Sequence, residues 1–133
     1  MRHHSERVPG KNYRRLAGRP LYSHILGTLH SCPGLDRIAV DTDSPVIREG
    51  ITKEFPEVLV LERPEHLRAG QIAMNEVILH DVEQLEASFY LQTHSTNPLL
   101  RPETISHAIS RFFEAYPVND SLFSVTRLQQ RLW

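Results

Sequence analysis

Hydrophobic and polar positions along this chain fall into short blocks whose period switches between that of a helix and that of a strand. Leu21, His24, Ile25 and Leu29 recur at helical spacing behind Pro20, which a first turn tolerates, so a helix is predicted over 20–31. Pro33-Gly34 breaks it. A short strand follows over 37–41, with Ile38 and Val40 on one face. Ser44 then suits an N-cap and Pro45 a first helical residue, which predicts a helix to about residue 55 with Val46, Ile47 and Ile51 inward. The unbroken apolar run 58–61 is what a parallel strand covered on both faces requires. Residues 63–73 carry turn chemistry, and Met74, Val77, Ile78 and Leu85 then predict a helix over 74–86. A strand over 88–92, a polar loop over 94–101 and a helix over 102–116 come next. The last of these buries Ile105, Ala108, Ile109, Phe112 and Phe113, and a final strand is predicted over 121–126.

Strands and helices therefore alternate, which argues for an α/β fold with a largely parallel sheet. Ligands of such sheets sit beyond the carboxyl ends of the strands, so the Thr42-Asp43 turn, the Arg63 loop and the Gln92 loop should line one rim. At 133 residues there is room for a single domain, 1–133, with a modest core. A net charge of −1 supplies no basic field for nucleic acid. Cations are instead concentrated locally, with Arg2, Arg7, Lys11, Arg14, Arg15 and Arg19 all near the start, which favours a small anion. The lone cysteine, Cys32, allows no internal disulfide and suits a reducing cytoplasm. No apolar run approaches the ~20 residues that cross a membrane, so a soluble chain with no membrane partner is expected.

The segment Arg2-His3-His4-Ser5-Glu6-Arg7-Val8-Pro9-Gly10-Lys11-Asn12 has no hydrophobic period and reads as a loop. Its cations, hydroxyl and backbone N–H groups are the donors that phosphate oxygens need. Gly10 permits close backbone approach and Pro9 stiffens the chain ahead of it. The same composition also suits an unstructured basic N-terminus.

This segment resembles the Arg-x-x-Ser…Pro-Gly-Lys-Asn signature of the acylneuraminate-type (CMP-sugar acid) cytidylyltransferases. The resemblance continues through Leu16-Ala17-Gly18-Arg19-Pro20-Leu21, Asp36-Arg37-Ile38-Ala39-Val40-Asp41-Thr42-Asp43, Leu61-Glu62-Arg63-Pro64-Glu65-His66-Leu67 and Tyr90-Leu91-Gln92-Thr93-His94-Ser95-Thr96-Asn97-Pro98-Leu99-Leu100-Arg101. Five motifs in the family's order cover nearly the whole chain. The resemblance implies a Rossmann-like, three-layer nucleotide-diphospho-sugar transferase fold with a mostly parallel sheet. It further implies a partial chain, because the family places a hydrophobic strand before the Arg and continues well beyond the position of Trp133.

The activity implied is transfer of CMP from CTP to a sugar acid with release of pyrophosphate. Two alternatives stand beside it: a related sugar nucleotidyltransferase using another NTP, and a fragment that binds nucleotide or associates with subunits without turnover. By resemblance Arg2, Ser5 and Lys11 hold the nucleotide phosphates and Asn12 bonds the reacting phosphate region, with Arg2, Lys11 and Asn12 the catalytic set. Glu6 departs from the cation often found there, and a carboxylate beside a triphosphate must be turned away or paired with Arg7. Arg63 and Asn75 are placed on the nucleotide and Gln92 on the acceptor sugar. The stretch 69–75 lacks the family's hydroxyls, which weakens recognition of cytosine. The loop after Gln92 is two residues longer than usual, which suggests its own acceptor. His94 is a candidate general base, a role that suits an imidazole, though the motif does not require it. Mg2+ is implied, with its aspartate ligands beyond Trp133 and none in this chain; the Asp41-x-Asp43 pair invites a metal reading only on its face. Eight histidines show no zinc pattern. In the full-length protein the resemblance implies a homodimer, through an element this chain lacks.

Overall fold

In the computed structural model, which describes residues 1–5 and 7–127, the chain's architecture is built around one parallel strand pair. After a single helical turn over Lys11–Tyr13, a two-residue ribbon pairs β1 (Arg15–Leu16) with β2 (Arg19–Pro20) antiparallel. Ala17 and Gly18 make its turn at φ of 47° and 82°. The ribbon was not legible as strand, being too short for any alternation to register. Then come α1 (Leu21–His30), β3 (Ala39–Thr42), α2 (Pro45–Glu54), β4 (Leu59–Glu62), α3 (Met74–Glu83) and α4 (Pro102–Ala115). β3 and β4 run parallel in the register Ala39↔Leu59 to Thr42↔Glu62, connected through α2.

The start of α2 follows directly from its sequence. The Ser44 hydroxyl accepts the Ile47 N–H at 3.4 Å, and Pro45 occupies a position where no N–H is needed. Ile47 and Ile51 are thereby turned fully inward, where they join Tyr22, Leu26, Val40, Phe55 and Val58 in the core. The Tyr22 side chain reaches from α1 to α2, where a Cβ built on Gly50 would collide with its hydroxyl. Tyr22 is buried and cannot swing clear. Gly50→Ala is therefore expected to cost about 1–3 kcal/mol, the usual range for overpacking, against the small gain alanine gives an open helix. Urea unfolding measures it, and Tyr22→Phe in the same chain should return part of the loss.

Several expectations need correction. Val46, Met74 and Phe113, expected on buried stripes, are about half exposed. β4 is parallel as expected but not covered on both faces, since Leu59 is exposed and Val60 and Leu61 are only half-buried. Segments 88–92 and 121–126 are irregular rather than strands. A strand exists only where a neighbour takes its N–H and C=O groups, and among the described residues none lies alongside either segment. The three-layer, mostly parallel sheet is thus represented here by one parallel pair with helices packed on it. Among the described residues no helix is long and apolar enough to cross a membrane.

Candidate functional site

The N-terminal segment is stitched to the carboxyl end of β3 rather than lying free. The Met1 carbonyl accepts the Thr42 hydroxyl at 2.7 Å. The His3 N–H donates to Asp43 at 2.6 Å, and His3 Nδ1 lies 2.8 Å from the Ser44 hydroxyl. The His3 ring stacks on Tyr13 at 5.3 Å. Asp43 is accordingly a structural acceptor at the strand end, and Ser44 serves both α2 and the loop.

The segment then folds back on itself. Asn12 Nδ2 donates to the Arg2 carbonyl at 2.8 Å, closing residues 2–12 into a loop. Inside it Ser5 Oγ accepts the Val8 N–H at 3.4 Å, and the Val8 carbonyl accepts the Lys11 N–H at 3.1 Å. Gly10 makes the reversal at φ 65°, and a Cβ there would sit 2.6 Å from the Tyr13 ring, so only glycine fits.

This closure brings Arg2, Ser5, Arg7 and Lys11 around a cavity of about 240 Å³, completed by Gly70 from the loop after β4. Three cations, a hydroxyl and a side-chain-free backbone converge there, and among the described residues no carboxylate lines the space. Such an arrangement attracts a multiply charged anion and has the donors to hold its oxygens. Arg2, Ser5 and Lys11 are thus brought together as the sequence led one to expect. Arg7 and Gly70 join them without having been assigned; composition signalled the first, and nothing signalled the second. Glu6 lies outside the described residues.

The remaining candidates are placed elsewhere. Asn12 is buried just behind the cavity, with Nδ2 on Arg2 and Oδ1 accepting the Ser95 hydroxyl at 2.8 Å. Asn75 is exposed in the first turn of α3, and Gln92 and His94 are exposed in the 84–101 segment. Arg63 does not line the cavity. Its Nε and a terminal nitrogen both lie 2.5 Å from Asp41 Oδ1, with each side chain nearly enclosed. Asp41, a strand residue pointing into the fold, is thus paired with a cation.

Asp81 of α3 faces the same pair. Burial and the neighbouring Asp41 carboxylate push its pKa up to about 6, against the opposing pull of Arg63 and His80. Burial also pushes the Met1 amine, which bonds the Asp41 carbonyl, down to about 6. Asp41 Oδ2 and Asp81 Oδ1 are buried without a hydrogen-bond partner among the described residues. A carboxyl whose folded pKa is raised stabilises fully below its unfolded pKa, and that stabilisation is lost as pH rises through the folded value. From Asp81, stability should therefore fall between about pH 4 and pH 6. Urea midpoints across that window measure the slope, and Asp81→Asn should flatten it. An unaltered slope would show the proton to reside elsewhere.

Fold and site together define an α/β protein with a cavity lined by three cations and a hydroxyl beside the carboxyl end of a parallel strand pair. The chain belongs to the cytidylyltransferase family, whose model matches residues 1–132. It is 32% identical over 109 residues to a CMP-N,N'-diacetyllegionaminic acid synthase of Legionella pneumophila, covering 79% of this chain and 47% of that protein. It is 32% identical over 101 residues to a 3-deoxy-manno-octulosonate cytidylyltransferase of Chlorobium phaeobacteroides, covering 76% of this chain and 38% of that one. Among solved structures it resembles a CMP:2-keto-3-deoxy-manno-octonic acid synthetase complexed with CTP. That likeness has a TM-score of 0.74 at 18% identity and covers 86% of this chain and 45% of the other, which supports the fold. The chain spans less than half the length of these relatives.

Proposed function

We propose that this chain carries the nucleotide-phosphate half of a CMP-sugar acid synthetase, acting in the cytoplasm. A hydroxyl of the sugar acid attacks the α-phosphorus of CTP, its proton passing to solvent or a base. The bond to the bridging oxygen breaks, and pyrophosphate leaves. The observation that carries this reading is the cavity where Arg2, Arg7, Lys11 and the Ser5 hydroxyl converge. Phosphoryl transfer needs positioning and charge neutralisation more than covalent help, and three cations around one small space supply both. Arg2 and Lys11 hold the β- and γ-phosphates and take up charge as pyrophosphate departs, while Ser5 donates to an oxygen.

Magnesium, expected from the resemblance, finds no ligand set here. Asp41 is committed to Arg63, and among the described residues no three His, Cys, Asp or Glu side chains gather as metal ligands. In this reading the ion would be carried by the phosphate oxygens themselves, and no step is routed through it.

The acceptor class, a sugar acid of the legionaminic acid or octulosonate kind, rests on the named relatives, and Gln92 with the loop that follows is its proposed reader. The test is pyrophosphate release from CTP, with magnesium, over a panel of such acids, ATP and GTP serving as controls. Release that depends on both CTP and one acid is expected. Release with ATP or GTP but not CTP would favour another nucleotide, and none with any pair would overturn the reading.

A further inference from the structure

We infer that Ser95 is a positioning residue that locks the phosphate cradle to the acceptor-side loop, so that the two substrate sites are mechanically joined. This rests on the function proposed above for the cradle. The Asn12 amide has one orientation that satisfies its surroundings. Its Nδ2 must donate to the Arg2 carbonyl at 2.8 Å, which leaves Oδ1 facing the other way as an acceptor. Asn12 is buried, with 7% of its surface exposed, so that oxygen needs a protein donor, and the Ser95 hydroxyl supplies one at 2.8 Å.

The loop that carries Ser95 is itself anchored. The Asn97 N–H closes a turn on the His94 carbonyl at 3.0 Å, and the Leu100 carbonyl accepts the Thr28 hydroxyl of α1 at 3.1 Å. A loop fixed on α1 at one end therefore reaches the cradle through one hydroxyl at the other. Asn12 transmits the contact in two directions: through its side chain to the backbone of Arg2, and along the chain to Lys11, its neighbour in the same turn. Both of those residues line the cavity. Gln92 stands three residues before Ser95 in the same loop, so movement of the loop on an acceptor is felt at Arg2 and Lys11, and the reverse follows by linkage.

The test measures CTP and inorganic pyrophosphate binding by calorimetry for the wild type, Ser95→Ala and Ser95→Thr. Loss of one buried hydrogen bond predicts roughly 3–10-fold weaker binding of both ligands by Ser95→Ala. Ser95→Thr, which keeps the hydroxyl, should bind within about twofold of wild type. Unchanged affinity in Ser95→Ala overturns the inference, and so does equal loss in Ser95→Thr, which would indicate packing rather than the bond. Amide hydrogen exchange at Lys11 and Tyr13 needs no ligand and separates this inference from the nucleotide reading. Faster exchange there in Ser95→Ala supports the lock even if the wild type binds no CTP, a result that would sink the nucleotide reading alone. Unaltered exchange there sinks the lock.

Discussion

Arg63→Ala is expected to unfold this chain before it touches nucleotide affinity. The guanidinium lies 2.5 Å from Asp41 Oδ1, and the two side chains are 6% and 5% exposed. Removing the cation leaves a carboxylate enclosed with a second carboxyl, that of Asp81, facing it. Breaking one partner out of a buried pair costs about 3–5 kcal/mol, because the surviving charge has no compensation. Small domains hold only about 5–15 kcal/mol in total, so a large share of the stability goes with this one side chain. Urea unfolding followed by circular dichroism measures the loss. Asp41→Ala placed in the same chain should recover much of it, since the orphaned charge is then gone. The alternative, that Arg63 is a nucleotide ligand, predicts the opposite pattern: near-normal unfolding and a clear loss of CTP affinity. That pattern would transfer Arg63 to the binding site.

The Arg63 case shows where reading a sequence stops. Local signals were legible because they are local. Ser44 and Pro45 mark a helix start with no help from the rest of the fold, and α2 begins where they put it. The Gly10 reversal and the cations around it belong to one segment, so their gathering was legible there with the help of the family resemblance, whereas composition alone also suited an unstructured N-terminus and Gly70 had no signal. Parallel pairing of β3 and β4 followed from the strand–helix–strand order. The contacts that decide roles are of another kind. Arg63 and Asp41 are 22 residues apart, and Ser95 and Asn12 are 83 apart. No period or spacing connects either pair, so the Arg-Pro motif carried no sign that its Arg is paired with Asp41. Asp81 had no signal at all: it lies on a helix where an acid looks solvated, and only the fold turns it toward Asp41.

The strands that did not form carry the complementary lesson. The apolar residues of 88–92 fit a pleated strand, but composition says only that a segment would suit a sheet, not that a neighbour is there to pair with it. In the structure Phe89 instead meets Phe112, Phe113 and Tyr116 edge-on at 5.0–5.5 Å, an aromatic cluster on α4. Phe89 thus found helix side chains, while Tyr90 and Leu91 stayed half exposed and the segment's backbone found no ladder.

Lys11→Ala should produce a large loss of ligand binding with little loss of stability. The residue lines the cavity together with Arg2, Arg7 and Ser5, and among the described residues its ammonium makes no ion pair that the substitution would break. Folding should therefore be affected little, within about 0.5 kcal/mol, as for a surface change away from buried networks. Binding is a different matter, because a charge-assisted hydrogen bond to phosphate is worth about 1.5–3 kcal/mol, or roughly 10–150-fold in affinity for pyrophosphate. During turnover the same cation faces a leaving group whose charge grows, so its loss should raise the barrier by about 2–4 kcal/mol. Lys11→Arg keeps the charge but not the compact ammonium, and should fall between the two. Raising the salt concentration should weaken wild-type binding more steeply than that of Lys11→Ala, since one fewer cation remains to be screened. Equal affinity for pyrophosphate in wild type and Lys11→Ala at low salt would remove Lys11 from the cradle. It would leave Arg2 and Arg7 to account for any binding that is seen.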